Sequence, residues 1–292
     1  MRQPKPVDLE RAVNVAARAA REAGAILLEE LQRPQKIGYK GEVDLVTQAD
    51  VRSERCVTAR LRRAFPDHRI IGEELGAQEA RRSGARYLWY VDPLDGTTNF
   101  AHGFPVFAVS LGLVEGDRPI AGVIYNPVLD EMFTAIRGGG ARLNGKTIHV
   151  SRVPRLGESL LGTGFPVRKR SANPNIRYYW EYTLRSHGVR RAGAAALDLC
   201  SVACGRYEAF WEFGLKPWDT TAGVLLVEEA GGKVTDFDGN PYHPGDHELV
   251  SSNGLIHEEM CRVGREIAAL RRATGARGWE QNQISKPKRR KR

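Results

Sequence analysis

The sequence predicts an α+β fold, and three patterns carry this prediction. Apolar residues recur at helical spacing over residues 9–31, with Arg and Glu between them, and predict a long amphipathic helix that ends before Pro34. Apolar, β-prone runs separated by Gly- and Asp-containing turns predict consecutive strands over residues 106–136. Beyond Gly193, an Ala-rich helical segment, a strand and another helix follow one another.

The same periodicities and the breaker residues assign the other elements. In chain order they predict a loop or hairpin over 36–50, a helix over 50–65, strands over 69–72 and 87–91, strands over 106–114, 120–125 and 132–136, a strand near Leu160, helices around 178–186 and over 193–204, a strand over 207–211 and a helix over 219–230. Pro93 cannot donate a ladder hydrogen bond, so we predict that the strand over 87–91 ends there and leaves Asp92 at its carboxyl end.

No repeat or linker divides the chain. We therefore predict one catalytic domain over 1–273, built from two intimate halves, 1–150 and 151–273.

The charge of the chain is unevenly distributed. Its 292 residues carry a formal net charge of +9, and six of the positive charges lie within residues 286–292. The rest of the chain is close to neutral, so its charge gives no indication that the folded part binds nucleic acid. Residues 274–292 are polar and aperiodic, so we predict a disordered basic tail. Its end is suited to contacts with RNA or another polyanion, but no aromatic stacking platform accompanies it, which favours a solvated terminus.

Membrane and secretory signals are missing from the sequence pattern. No apolar run approaches the roughly 20 residues that a membrane span needs. The first residues do not form the apolar core of a secretory signal. The four cysteines show neither C-x-x-C nor zinc-type spacing. We therefore expect a cytoplasmic protein without membrane contact.

Residues 92–100 (DPLDGTTNF) place two carboxylates and an anion-binding turn within nine positions. The segment from Asp95 to Thr98 has the composition of a tight turn that opens a helix, where backbone N–H groups can face an anion. Two carboxylates beside a phosphate would repel it unless a divalent cation lay between them. The motif therefore predicts metal-assisted phosphate chemistry.

Two further segments supply carboxylates to this candidate metal site. Glu73 follows the predicted strand over 69–72, and Asp219 stands at the start of the predicted helix over 219–230. Each also has a structural interpretation: Asp219 as a helix N-cap, Asp95 as a turn residue, and Glu73 as part of a solvated acidic pair. Together they indicate a ligand set, because each lies at the end of a strand or the start of a helix. Oxygen ligands without His or Cys favour Mg²⁺ or Mn²⁺ over zinc.

Long motifs connect this chain to a known family. They are residues 71–74 (IGEE), 89–100 (WYVDPLDGTTNF), 218–223 (WDTTAG) and 229–232 (EAGG). With these motifs in this order, the chain resembles the inositol monophosphatase family, Mg²⁺-dependent and Li⁺-sensitive enzymes of the sugar-phosphatase superfamily, over roughly residues 8 to 270. The resemblance implies a layered α/β/α/β/α sandwich, of the type shared with fructose-1,6-bisphosphatase, and a homodimer.

The resemblance also implies two to three metal ions. By position, Glu73, Asp92 and the carbonyl of Leu94 would hold a first ion. Asp92, Asp95 and Asp219 would hold a second, and a third, weaker ion would depend on Glu73 and water. Clustered Mg²⁺ ions lower the pKa of a bound water and stabilise the leaving alkoxide.

Catalytic and substrate-binding roles follow by position as well. With Glu73 among the catalytic groups, Thr97 and Asp50 match the pair that orients the attacking water. The backbone N–H groups of Gly96 and Thr97 match a phosphate cradle, and Glu212 matches a glutamate that hydrogen-bonds substrate hydroxyls. The positions implied to contact substrate are Asp95, Gly96, Thr97, Gly193, Ala195, Glu212 and Asp219.

We therefore expect an Mg²⁺-dependent phosphomonoesterase that acts on myo-inositol 1-phosphate or a closely related sugar phosphate. Phosphatases of the same superfamily that act on fructose 1,6-bisphosphate, histidinol phosphate or 3′(2′),5′-bisphosphate nucleotides would keep the same metal ligands and stay open as alternatives. Thr98, Asn99 and Phe100 favour the inositol branch, because the nucleotidase and histidinol-phosphate branches typically carry a lysine where Thr98 stands.

Overall fold

The computed structural model describes residues 6–33, 37–39, 45–81, 84–165 and 173–283. Within these ranges the helices are α1 (Leu9–Leu31), α2 (Gln48–Ala64), α3 (Thr97–Ala101), α4 (Asn175–Arg185), α5 (Ala195–Ala203), α6 (Pro217–Glu229) and α7 (His257–Gln283). The strands up to residue 147 are β1 (Ile37–Tyr39), β2 (Leu45–Thr47), β3 (Arg69–Gly72), β4 (Gly76–Gln78), β5 (Tyr87–Asp95), β6 (Ala108–Glu115), β7 (Arg118–Asn126), β8 (Glu131–Ile136), β9 (Gly140–Leu143) and β10 (Lys146–Thr147). The later strands are β11 (Leu160–Thr163), β12 (Gly188–Arg190), β13 (Ala209–Phe213), β14 (Lys233–Thr235) and β15 (Glu248–Ser252).

Two sheets organise the molecule, and β1 and β2 form a separate antiparallel hairpin. The large sheet has the order β10-β9-β8-β7-β6-β5-β3-β4 and is antiparallel except for the pair β3 and β5. The small sheet has the order β12-β11-β13-β15-β14, with β11 parallel to both of its neighbours. Strands β6 and β7 are buried almost throughout, because both faces of the large sheet are covered by helices.

Helices α1 and α2 cover the outer face of the large sheet. The Asp8 side chain caps α1 by accepting the N–H of Arg11 at 3.0 Å. The buried face of α1 is rich in alanine, which lets the helix lie close to the sheet. Together with Trp89 and Phe107 these residues form the first apolar core.

Helices α5 and α6 lie between the two sheets and form a second core. Helix α6 approaches the large sheet at two glycines. A Cβ atom at Gly112 would overlap the side chain of Thr221, and one at Gly122 would lie 3.0 Å from the Cα of Ala222. The Ser110 hydroxyl also donates to the Trp218 carbonyl at 3.2 Å. The Ser110 contact brings the first turn of α6 to β6, next to the strand that carries Asp92, because Ser110 pairs with Asp92 in the sheet.

Helices α4 and α7 cover the outer face of the small sheet and enclose a third core, which includes Tyr182, Trp211 and Met260. The Tyr182 hydroxyl donates to the Met260 carbonyl at 2.7 Å and ties the two helices together. Three cores separated by two sheets confirm the α+β fold and the layered α/β/α/β/α sandwich that the sequence analysis expects.

Two sequence predictions need correction here. Strand β5 does not end before Pro93 but continues to Asp95, because Asp95 pairs with Ala108 after a register shift that begins at Asp92. A bulge of this kind accommodates a proline that lacks an N–H. Helix α7 runs to Gln283, so residues 274–283 are helical rather than disordered. No proline interrupts the chain there, whereas Pro287 and the rest of 284–292 lie outside the described residues.

The strands of the large sheet come from residues 69–147 and those of the small sheet from 160–252. The division into halves near residue 150 remains a prediction, as does the treatment of 1–273 as one unit. Among the described residues, no helix combines the length and the apolar character needed to cross a bilayer.

Candidate active site

Adjacent strands carry the first two candidate ligands. Strands β3 and β5 are parallel, with Gly72 opposite Val91, so Glu73 and Asp92 leave the same edge of the sheet. The N–H of Glu73 donates to the Val91 carbonyl at 3.1 Å, which extends the ladder by one residue. Asp92 is buried, and its Oδ1 accepts the N–H of Leu94 at 2.9 Å.

The third carboxylate comes from the first turn of α6. The N-cap of this helix is Lys216, so the N-cap interpretation of Asp219 is wrong. Asp219 Oδ2 instead accepts the N–H of Lys216 at 2.7 Å. Glu73, Asp92 and Asp219 each offer an oxygen, and these three atoms lie within 4.8 Å of one another. Three remote segments thus converge on one point, as the sequence analysis expects.

Asp95 lines the same cleft but is held differently. Its Oδ2 accepts the N–H of Ala196 at 2.7 Å, in the first turn of α5. Asp95 does not belong to the close group of three oxygens among the described residues. Its role as a metal ligand therefore stays a prediction. The helix dipole of α5 favours a negative charge at this position.

The electrostatics of the carboxylates favour a cation. Burial raises the pKa of Asp92 well above its usual value, and the charges of Glu73, Asp95 and Asp219 raise it further. Burial also raises the pKa of Asp95 to about 7, although the N–H of Ala196 opposes this shift. Without a cation, several like charges repel one another in a small volume of the folded chain. A hard divalent cation fits this donor set, because all the converging atoms are carboxylate oxygens.

Thr97 and Asp50 meet as the resemblance implies. The Thr97 hydroxyl lies 3.2 Å from Asp50 Oδ1 and 3.1 Å from the Leu94 carbonyl. Asp50 is buried in the first turn of α2. Both neighbours of the hydroxyl are acceptors, so the Thr97 proton points towards them and the oxygen lone pairs are left for another donor.

The turn before α3 requires a glycine. Gly96 is the N-cap of α3 and has φ of 96°, a left-handed conformation. A Cβ atom at this position would also lie 2.8 Å from the Val106 carbonyl. The N–H groups of the N-cap and of Thr97 have no partner within a helix of this kind, which is compatible with the expected phosphate contacts. That role stays a prediction.

The opposite side of the cleft comes from the small sheet and α5. Glu212 lies on β13, and a Cβ atom at Gly164 would overlap its carboxylate. Glu212 lines the cleft and is half-buried. Burial, followed by the charges of Asp219 and Asp95, raises its pKa to about 8.

Gly193 and Ala195 also line the cleft. The helix predicted from residue 193 begins only at Ala195, because Gly193 has φ of 86° and belongs to the preceding loop. Asn99 joins this loop to α3, since its amide donates to the Ala192 carbonyl at 2.9 Å and to the Val106 carbonyl at 2.8 Å. The substrate contacts of Gly193, Ala195 and Glu212 stay predictions.

The structure adds cleft residues that the sequence analysis does not assign to the site. They are Gly164, Phe165, Arg191, Ala194 and Leu215. Arg191 is exposed and places a cation among the carboxylates. A single sequence gives no signal for it, because an Arg-Arg pair before a helix is also typical of a solvated surface. Asp198 is buried below the same wall, and burial followed by the Glu212 charge raises its pKa well above the usual value.

Comparison with known proteins identifies the relatives of this chain. The sequence profile of the inositol monophosphatase family matches residues 8–269. A protein of Pseudomonas aeruginosa named Nus factor SuhB is 48% identical over 249 residues, which are 84% of this chain and 90% of the relative. The inositol-1-monophosphatase of Synechocystis sp. is 42% identical over 260 residues, covering 88% and 90% of the two chains.

A solved structure gives the same result. The inositol monophosphatase from Anabaena (Nostoc) sp. superposes with a TM-score of 0.80 at 42% identity. The superposition covers 89% of this chain and 97% of that chain. Nearly the whole of that chain therefore shares its fold with this one.

Proposed function

Because the chain belongs to the inositol monophosphatase family and is a phosphoric monoester hydrolase, we propose that it hydrolyses myo-inositol 1-phosphate or a closely related sugar phosphate with the help of Mg²⁺. The observation that carries this proposal is the convergence of Glu73, Asp92 and Asp219 oxygens within 4.8 Å of one another. The relatives named inositol-1-monophosphatase support the choice of substrate.

The residues that would hold the ions are those that the resemblance implies. Glu73, Asp92 and the Leu94 carbonyl would hold one ion, and Asp92, Asp95 and Asp219 a second, with a third bound more weakly. When bound, the ions would lower the pKa of a water molecule and offset negative charge on the phosphate. Mn²⁺ would be accepted as well, because it prefers the same oxygen ligands.

Thr97 and Asp50 would orient the attacking water. Asp50 can only accept hydrogen bonds, so it holds the Thr97 proton and turns the hydroxyl oxygen into an acceptor. A water proton directed at Thr97 Oγ1 would leave a lone pair of the water facing the phosphorus. Orientation of this kind lowers the barrier by removing the entropy cost of positioning.

Glu212 would accept hydrogen bonds from substrate hydroxyls, and Arg191 would face the negative charge of the substrate. Both residues lie on the wall opposite the strand that carries Asp92. Their contribution is to binding and selection, because neither belongs to the converging oxygens of the metal group.

A phosphate-release assay tests the proposal directly. Myo-inositol 1-phosphate, fructose 1,6-bisphosphate, histidinol phosphate and a 3′,5′-bisphosphate nucleotide would each be supplied with Mg²⁺ and then with EDTA. We expect inositol 1-phosphate or a related sugar phosphate to be preferred and EDTA to abolish turnover. Hydrolysis that survives EDTA would refute the metal mechanism, and a clear preference for the nucleotide would refute the substrate.

Three further properties belong to the proposal. Li⁺ should inhibit, which a Li⁺ titration at fixed Mg²⁺ would measure. The protein should be a homodimer, which sedimentation equilibrium would measure. A cytoplasmic location is supported by four free thiols, Cys56, Cys200, Cys204 and Cys261, which suit a reducing compartment. Fluorescence microscopy of a tagged chain would test the location.

A further inference from the structure

Helix α2 places three buried polar side chains under the candidate metal site. Asp50, Ser53 and Glu54 are at most 1% exposed. Their spacing of three and four residues puts them on one face of the helix. Polar groups buried to this extent require hydrogen-bond partners, and a buried carboxylate requires them most.

Glu54 finds two of its partners in the turn that follows β3. Its Oε2 accepts the N–H of Glu74 at 2.7 Å, and its Oε1 accepts the N–H of Leu75 at 3.0 Å. These are the two residues directly after Glu73. The backbone of Glu73 is therefore held from both sides, by the Val91 carbonyl before the turn and by Glu54 after it.

Ser53 holds the second ligand-bearing turn. Its hydroxyl donates to the Pro93 carbonyl at 2.8 Å. Pro93 lies between Asp92 and Leu94, at the bulge where the ladder between β5 and β6 shifts register. The hydroxyl therefore satisfies a carbonyl at a point where the sheet is irregular.

Gly72 shows how close the Glu54 carboxylate comes to the strand. A Cβ atom at residue 72 would overlap this carboxylate. Gly72 has no left-handed backbone requirement, so proximity to Glu54 accounts for the glycine. Gly72 of the IGEE motif therefore leaves room for the Glu54 side chain of α2.

We propose that Glu54 and Ser53 are positioning residues that hold the turns bearing Glu73 and Asp92 at the separation a divalent cation needs. This inference rests on the proposed function, because it assigns a role towards the metal ions. Neither residue is among those that line the cleft in the described part of the chain. They act through Glu73 and Asp92 and not by touching substrate.

The test compares Glu54→Gln with Thr58→Val. The glutamine side chain would have the same size as the glutamate, but it would lose the negative charge and turn an N–H₂ group towards a backbone N–H. Thr58 lies one turn further along α2, is 5% exposed, and its hydroxyl has no hydrogen-bond partner among the described residues. Thr58→Val therefore alters the buried part of the same helix without changing either turn.

Mg²⁺ affinity would be measured by isothermal titration calorimetry without substrate. We expect Glu54→Gln to weaken Mg²⁺ binding about 10- to 100-fold, the usual effect of losing a group that orients a ligand. Ser53→Ala should weaken it about threefold to tenfold, because a single neutral hydrogen bond is lost. Thr58→Val should stay within about twofold of wild type. At saturating Mg²⁺, the KM of Glu54→Gln for substrate should be unchanged, which separates metal positioning from substrate binding.

A folded Glu54→Gln protein with wild-type Mg²⁺ affinity would overturn the proposal. Equal losses of affinity in Glu54→Gln and Thr58→Val would also overturn it, because they would show a general effect of disturbing α2. If Glu54→Gln does not fold, Ser53→Ala decides, and wild-type affinity in that variant would refute the inference. A wild-type protein that neither binds Mg²⁺ nor releases phosphate would instead refute the proposed function.

Discussion

The two walls of the cleft are built on different principles. The wall from the large sheet carries Glu73, Asp92 and Asp95, whose carboxylates or backbones are held by hydrogen bonds from neighbouring segments. The wall from the small sheet and α5 offers Glu212, the exposed Arg191 and stretches of glycine and alanine backbone. The first wall is dense in charge and tightly positioned, whereas the second is sparse in polar groups.

We interpret this difference as a division of roles, in which the large-sheet wall serves the reaction and the small-sheet wall selects the substrate. Carboxylates at close range repel one another unless a proton or a cation offsets their charge, which makes the large-sheet wall the better candidate for the metal chemistry. Few polar groups on the small-sheet wall leave its shape to choose the substrate. We therefore expect substitutions on the first wall to abolish turnover and substitutions on the second to change preference.

The largest effect is expected from Asp92→Asn. Asp92 lies at the centre of the carboxylate group, and the loss of its charge should remove metal binding and lower kcat/KM by about 10³-fold or more. A steady-state assay at several Mg²⁺ concentrations measures this. The variant should be at least as stable as wild type in EDTA at pH 8, because a buried like charge is gone. Activity within tenfold of wild type would show that Asp92 is not a ligand.

The stability of the metal-free protein should fall as pH rises. Asp95 has a pKa of about 7 in the folded chain against 3.8 as its ordinary value, and the pKa of Asp92 is raised as well. Between these values the folded chain binds more protons than the unfolded chain, so the free energy of unfolding decreases with pH, by up to about 1.4 kcal/mol per pH unit for each group. Mg²⁺ should reverse the loss.

Thermal unfolding between pH 5 and 8, with EDTA and with Mg²⁺, measures this dependence. The difference in Tm between the two conditions should widen as pH rises, because protons compete with the cation at low pH. A metal-free Tm that is constant over this range, or that rises with pH, would contradict the expected repulsion on the large-sheet wall.

A smaller and more selective effect is expected from Glu212→Gln on the other wall. We propose that its carboxyl accepts hydrogen bonds from substrate hydroxyls, and the amide of the variant keeps the size of the side chain. The substitution should lower kcat/KM for inositol 1-phosphate roughly tenfold, the effect of losing one hydrogen bond. Phenyl phosphate has no such hydroxyls and serves as the matched substrate. Equal losses on both substrates would assign Glu212 to the chemistry.

The smallest effect is expected from deletion of residues 286–292. These residues carry six positive charges and follow the region, residues 8–269, that matches the family profile. Phosphate release should be unchanged, whereas affinity for RNA or heparin, measured by filter binding, should fall if the tail contacts polyanions. Unchanged polyanion affinity would end the accessory-role hypothesis, and lost hydrolysis would show that the end of the chain supports the cleft.

Local sequence patterns predict most of the elements around the site. Helices α1 and α2 and strands β6 to β8 follow from periodicity and breaker residues. The patterns do not predict α7 or the pair β14 and β15, because Gly, His and polar residues interrupt the apolar runs there. They also place the end of β5 too early, since a register shift lets the strand continue through Pro93.

The residues of the site also fall into those that local patterns predict and those that only the folded structure reveals. The identity of the acidic residues and of Thr97 is available from motifs, because metal and phosphate chemistry restricts residue types at short range. Glu54, Ser53 and Arg191 are not available in this way. Their partners are distant in sequence, and a buried glutamate on α2 has the same local pattern as a solvated one.

The sequence by itself determines which carboxylates the protein has, which turns carry them, and which family pattern they follow. The tertiary structure alone decides which oxygens meet, which turns α2 holds, and which residues face Glu73 and Asp92 across the cleft. The physical reason is the distance along the chain over which each kind of interaction acts. Turn chemistry and helix periodicity act between near neighbours, whereas charge repulsion, burial and hydrogen bonding at the site act between segments that only the packing of two sheets brings together.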